Sequence, residues 1–377
     1  MTTSDSGDTA AGVLRELVAE GVSLWLDGID RDLTGSGRFA RLVSGAGIVG
    51  AVSDPARLAA AVADPGSAYR DQLAALAHRR AGPDAAVRAL LLADARQACD
   101  DLLGVFERTD GLDGYVSIDL DPGLADDADA IVGAATEVRG ELDRPNMMVK
   151  VAATDKGLVA IRECLAAGIC VHVTEIFSQQ RYQHVVEAYF DGLAAASEAG
   201  LRLAGIASVA SLSVGTFDAA VDARLDEHGG AAALSLRGSG ALNNARLLYR
   251  DYDQRLGSRR WRELRVRGAR PQRLMWTATD ARSGTSYADR IVAWGTVTAM
   301  SPATIDWMTR NGDLQGDTLT GGYTAAQSAA DDLGQLGITY DLVARGLEQD
   351  SGARLRQSWQ RLRHAVAERL DAVKEDP

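Results

Sequence analysis

Short apolar runs alternate with longer stretches whose apolar residues recur at helical spacing, and the alternation continues for most of the chain. A strand buried on both faces reads as a continuous apolar run and its covering helix as a one-sided stripe, so the pattern predicts parallel βαβ units. Strands are expected at residues 23–27, 47–52, 115–120, 147–151, 169–174, 203–209, 274–278 and 296–299. Helices are expected between them, among them 155–167 and 178–199, with Asp155 and Ser178 placed as N-caps. Eight parallel strands with intervening helices close into an α/β fold of the (β/α)8 TIM barrel type. One such domain spanning residues 1–377 explains the length better than two. Residues 55–107 then form a helical insertion between the second and third strands, and residues 324–374 a pair of C-terminal helices packed on the barrel wall.

Composition narrows the class of function. With 46% hydrophobic and 24% charged residues the chain is ordinary globular material, and its formal net charge of −12 has the wrong sign for gripping nucleic acid or an anionic membrane. A small-molecule partner is the remaining expectation, and a homodimer stays open. No apolar run approaches the roughly 20 residues of a membrane helix, and the polar, acidic first ten residues have no leader pattern. Three cysteines, Cys99, Cys164 and Cys170, are too few and too apolar in setting for a disulfide framework, which points to a reducing cytoplasm.

The cations are more informative. Of forty Lys and Arg residues only Lys150, Lys156 and Lys374 are lysine, leaving 37 arginines. Lys150 sits in Asn146-Met147-Met148-Val149-Lys150-Val151-Ala152-Ala153-Thr154, near the C-terminal end of a buried strand, where it would face the barrel mouth. Desolvation there disfavours the ammonium and makes a neutral amine available to attack a carbonyl and form a Schiff base. Arginine stays protonated and cannot replace it. The alternative is a lysine that snorkels to the rim or pairs with a carboxylate. Lys156 and Lys374 read as solvated.

Carboxylates occupy matching strand ends. Asp27 follows Leu24-Trp25-Leu26 and Asp119 follows Val116-Ser117-Ile118, placing both at the same face as Lys150, where they supply proton transfer. Asp27 could instead cap the following turn, and Asp121 could be loop solvation. The run Asp119-x-Asp121-x-Gly123 begins like a calcium loop but lacks the later ligands, so no metal is expected. His172, inside the fifth strand, is read either as a substrate contact or as a core histidine bonded to backbone. The lone Gly238-Ser239-Gly240 lacks the preceding strand of a dinucleotide fingerprint.

Taken in order, Leu24-Trp25-Leu26-Asp27, Ser53-Asp54-Pro55, Val116-Ser117-Ile118-Asp119, Pro145-Asn146-Met147-Met148-Val149-Lys150, Val171-His172-Val173-Thr174-Glu175-Ile176-Phe177-Ser178, Arg181-Tyr182 and Ser208-Val209-Ala210-Ser211 resemble bacterial transaldolases from about Gly21 to the C-terminal helices. The resemblance implies a class I aldolase-type barrel with a Schiff base at Lys150, Asp27 as acid/base for carbon–carbon cleavage, and Thr174 holding a catalytic water. It implies neither a metal nor an organic cofactor.

The departures from the family pattern concern the substrate. Ser53-Asp54 stands where the family has Thr-Asn, Asp119 replaces a Glu, and His172 replaces an Asn. After Ser211 the family places an Arg that grips the substrate phosphate, and this chain has Thr216. The family's Ser-Thr-Gly near strand seven appears as Ala278-Thr279-Asp280, with Arg282 as a substitute cation a few residues on. In an arginine-rich chain the loss at Thr216 is informative, and Asp280 adds like charge to a phosphate pocket. The expectation is a transaldolase-like enzyme that makes or breaks a carbon–carbon bond through a Lys150 iminium on a weakly phosphorylated or unphosphorylated carbonyl or sugar-like substrate, in a biosynthetic branch of carbohydrate metabolism. An ordinary transaldolase acting on sugar phosphates and a non-catalytic binding barrel are the alternatives.

Overall fold

A computed structural model of the chain describes residues 12–64, 66–280 and 285–375. Eight parallel strands close in sequence order into a barrel: β1 (Ser23–Ile29), β2 (Ile48–Ser53), β3 (Tyr115–Ile118), β4 (Met147–Ala152), β5 (Val171–Ile176), β6 (Ser208–Ser213), β7 (Arg273–Thr277) and β8 (Val297–Met300). The expected barrel is therefore present. Its sixth strand is displaced: residues 203–205 form a 3-10 turn, and pairing with β5 begins only at Ser208, opposite Val171. The apolar Leu203 and Ile206 that suggested an earlier strand are buried against the helical layer instead.

Alternation along the strands decides what reaches the mouth, since successive side chains point to opposite faces. Leu24 and Leu26 on β1 pack outward under the helices. Trp25 points inward, into a small barrel core with Val52, Tyr115, Met148, Cys170, Val209 and Met275. Gly50 makes room for it, because a Cβ at that position would lie 2.3 Å from the Trp25 ring. One layer above this core, the same inward parity belongs to Asp27, Asp119, Lys150, His172 and Ser211. Apolar burial thus fixes the register that sets the polar layer, each fully buried large side chain contributing about 1.5–3 kcal/mol.

Helices Pro55–Ala63, Arg70–His78 and Pro83–Arg108 occupy the stretch between β2 and β3. The helix after β4 runs Asp155–Ala166, and its N-cap is Thr154, whose hydroxyl accepts from Gly157 N at 2.9 Å. Asp155 is the first helical residue and not the cap, because Thr154 still holds extended geometry when the chain leaves the strand. Ser178 does cap the helix Gln179–Glu198.

The C-terminal helices are Tyr323–Gln335 and Tyr340–Glu375. The second has 36 residues, about 54 Å at 1.5 Å per residue, and does more than pack on the wall. Val343, Ala344 and Leu347 pack on Phe177, Phe217 and Val221, whereas Leu362, Val366 and Leu370 pack on Leu58, Val62 and Leu90. Between these two anchors Leu355, Ser358 and Trp359 line the cavity at the barrel mouth.

Candidate active site

The cavity at the C-terminal ends of the strands has a volume of about 420 Å³, within the range of small-molecule sites. Asp27, Ser53, Asp54, Asp119, Lys150, His172, Thr174, Ser211, Ala278 and Asp280 all line it. Residues from seven strands or their C-terminal ends, far apart in sequence, therefore converge as the order of the motifs led one to expect.

Lys150 is largely enclosed, with a side-chain exposure of 14%. Its ammonium donates to Ser53 O at 2.5 Å and to Asp119 Oδ2 at 2.9 Å. Of the two alternatives open in the sequence, pairing with a carboxylate is the one the geometry displays, and that carboxylate is the expected proton acceptor itself. Ser53 orients it: Ser53 Oγ donates to Asp119 Oδ2 at 2.6 Å and accepts from Asp119 N at 3.0 Å. The shortening from Glu to Asp on β3 thus leaves the carboxylate within reach of the amine. Lys156 is exposed.

Asp27 does not cap the turn after β1. That role belongs to Asp30, which accepts from Leu33 N at 2.8 Å. Asp27 faces the cavity, and burial raises its pKa to about 6; the Lys150 charge opposes the rise, while Asp54, Asp280 and Asp119 add to it. A carboxyl that exchanges its proton near neutral pH is suited to acid/base work.

His172 lies directly across the β4–β5 ladder from Lys150 and is 1% exposed. Its Nδ1 shares a 2.7 Å hydrogen bond with Ser117 Oγ, not with backbone, and its Nε2 has no partner. Burial, seconded by the Lys150 charge, holds its pKa well below the usual imidazole range, so the ring is neutral.

Thr216 follows β6 and shares a 2.7 Å hydrogen bond with Ser213 Oγ, one turn away at the cavity wall. Asp280 follows β7 at the rim, where its Oδ1 accepts from Ser301 Oγ at 2.8 Å and Thr304 Oγ1 at 2.6 Å. Ala278, immediately before that rim, holds a left-handed φ of 54°. Gly215 permits this corner, because a Cβ there would lie 2.3 Å from Ala278 O. Arg282 lies outside the described residues. Asp121 caps the turn Pro122–Leu124 through Gly123 N at 2.8 Å, and among the described residues no group of three or more His, Cys, Asp or Glu side chains is disposed to hold a metal ion.

Two features of the cavity escape the sequence reading. Glu175 adopts a left-handed φ of 60° at a register irregularity in β5 and joins the lining. Burial raises its pKa, against opposing contributions from Ser351, Arg354 and Lys150. Its signal is a carboxylate interrupting the apolar run Val171–Ile176. The other is the roof of Leu355, Ser358 and Trp359, whose trace is the polar stretch that separates Leu347 from Leu355.

Comparison with known proteins agrees with this architecture. The family model described as Transaldolase/Fructose-6-phosphate aldolase matches residues 24–366. "Transaldolase 1" of Streptomyces coelicolor is 42% identical over 376 residues, covering 99% of this chain and 98% of that protein. "Transaldolase" of Acidothermus cellulolyticus is 42% identical over 368 residues, covering 96% and 98%, and "Transaldolase" of Mycobacterium tuberculosis is 41% identical over 365 residues, with the same coverage. The three relatives align end to end with a chain whose barrel mouth gathers an enclosed lysine, its carboxylate partner and a carboxyl titrating near neutrality. The chain belongs to the transaldolase/fructose-6-phosphate aldolase family, as a transaldolase-like, Schiff-base-forming enzyme.

Proposed function

We propose that Lys150 forms an iminium with a carbonyl substrate that is weakly phosphorylated or unphosphorylated, and that the enzyme makes or breaks a carbon–carbon bond through that adduct. Asp119 takes the ammonium proton, and the neutral amine adds to the carbonyl carbon. The carbonyl oxygen is then protonated and leaves as water. In the cleavage direction the bond between the α and β carbons breaks, its electron pair moves into an enamine on the Lys150 nitrogen, and the β-hydroxyl proton passes to Asp27. Addition of the enamine to an acceptor aldehyde reverses these steps. Thr174, which lines the cavity opposite Ala152, is assigned the water-holding role that the family resemblance implies.

The observation that supports the substrate assignment is the composition of the wall. Among the described lining residues Lys150 is the only Lys or Arg, and Thr216, which is not itself in the lining, spends its hydroxyl on the lining residue Ser213. Ordinary transaldolase activity on sugar phosphates is the second reading, favoured by the names of the relatives and by Arg282. A coupled transfer assay separates the two. With fructose 6-phosphate and erythrose 4-phosphate the proposed enzyme turns over poorly, and Thr216→Arg raises kcat/KM for the phosphorylated donor by about 10–150-fold, the worth of a charge-assisted hydrogen bond of about 1.5–3 kcal/mol. Efficient native turnover with no gain from the substitution supports the second reading. The three buried free thiols suit a reducing cytoplasm.

A further inference from the structure

Among the described residues six carboxylates line the cavity, from Asp27, Asp54, Asp119, Asp121, Glu175 and Asp280, against the one ammonium of Lys150. Asp119 is paired with Lys150, Asp27 is the proposed acid/base group, and Glu175 sits against Ser351 and Arg354 of the roof helix. The other three meet only uncharged donors among the described residues: Asp121 accepts from Gly123 N and Asp54 from Ala56 N, both at 2.8 Å, and Asp280 from the Ser301 and Thr304 hydroxyls. Of these, Asp54 and Asp280 line the same cavity as Asp27 and Lys150, and their charges add to the rise in the Asp27 pKa. The N-termini of the helices Pro55–Ala63 and Pro302–Asn311, which would attract a phosphate, are therefore already supplied with anions.

A second observation comes from a different strand. His172 lines the cavity, and its Nε2 is buried without a hydrogen-bond partner, an unmet acceptor or donor that a polar group of the substrate would satisfy. The ring is neutral and adds no positive charge to offset the carboxylates.

Resting on the iminium reading above, we infer that the substrate carries a protonated amine, which Asp54 and Asp280 hold while His172 Nε2 meets a neighbouring polar group. The site thus selects an amino-carbonyl compound over its hydroxyl and phosphate counterparts. A protonated amine gains Coulomb energy from both carboxylates, which have no cationic partner among the described residues; a phosphate is repelled by both.

The test uses three ketones that differ at one carbon: aminoacetone, hydroxyacetone and hydroxyacetone phosphate. Each is titrated onto the full-length enzyme with borohydride, and the concentration giving half-maximal adduct at Lys150 is read by peptide mass. Aminoacetone is expected to half-saturate at about a tenfold or more lower concentration than hydroxyacetone, with hydroxyacetone phosphate the weakest. In the Asp54→Asn/Asp280→Asn double variant, whose amides keep the capping acceptors, the aminoacetone-to-hydroxyacetone ratio falls towards one. Tightest saturation by hydroxyacetone phosphate, or a ratio unchanged in the double variant, overturns the inference. Absence of an adduct from all three ketones is a distinct outcome, since it removes the iminium itself.

Discussion

The two ends of the barrel use the same polar chemistry to opposite effect. At the N-terminal end Arg273 donates to Ser23 Oγ at 2.8 Å, to Leu112 O at 2.9 Å and to Asp113 Oδ1 at 2.8 Å, while Ser23 Oγ donates to Asp113 Oδ2 at 3.0 Å. The cation, the carboxylate and the hydroxyl close on one another, and the planar guanidinium fork holds all three. At the C-terminal end Lys150 and Asp119 form a comparable enclosed pair, with side-chain exposures of 14% and 12%. Around that pair, however, groups are left open: His172 Nε2 without a partner, Asp27 with a proton exchanged near pH 6, and Asp54, Asp121 and Asp280 without a cation among the described residues. A closed network fixes structure, whereas one held short of closure is available to a substrate. Arginine serves the first task and lysine the second, because an amine that hands its proton to a carboxylate becomes a nucleophile, whereas a guanidinium stays protonated.

Substitution at each end separates the two roles. Lys150→Arg keeps the charge and the Asp119 partner but abolishes the nucleophile. It should lower kcat by a factor on the order of 10⁴ or more while changing thermal stability little, as single-turnover assays and calorimetry would register. Arg273→Ala does the reverse. Removing one member of a buried pair leaves Asp113 uncompensated and should cost about 3–5 kcal/mol in denaturant unfolding, with Lys150 still able to form an adduct in the folded fraction. A stability loss equal at both positions would erase the contrast.

The expected effect of Asp27 on stability is smaller than that of Arg273, and its sign is diagnostic. Its folded pKa of about 6 lies above the ordinary 3.8, so between those values the native state binds more protons than the unfolded chain. The group is therefore least costly to the fold below pH 3.8, and stability is lost as pH rises through 6. Asp27→Asn should stabilise the protein at pH 8 by about 1–2 kcal/mol, the full shift of roughly 3 kcal/mol being reduced by solvent in the cavity. The same variant should lose the acid limb near pH 6 from the kcat/KM profile, together with about 10²–10⁴ in rate. Stabilisation with an unchanged pH profile would place Asp27 outside the chemistry.

The barrel was legible in the sequence because its strands are continuous apolar runs and its helices one-sided stripes, both local signals. The inward layer was legible because Asp27, Asp119 and Lys150 share a parity with the apolar residues below them. Strand six was misplaced where Leu203 and Ile206 are apolar for the sake of the helical layer, a distinction that periodicity over so few residues does not carry. Glu175 went unnoticed because its inward turn depends on a backbone irregularity between β5 and β6. The roof of Leu355, Ser358 and Trp359 depends on where a helix some 200 residues after Lys150 comes to rest, and only tertiary packing decides that.

Covalent capture at Lys150 tests the iminium most directly. The enzyme should be incubated with hydroxyacetone or aminoacetone, reduced with borohydride, digested and mapped by mass. With three lysines in the chain, the site is unambiguous. The prediction is one reduced adduct on the peptide carrying Lys150 and none in Lys150→Arg. An adduct confined to Lys156 or Lys374, or none with either ketone, would contradict it.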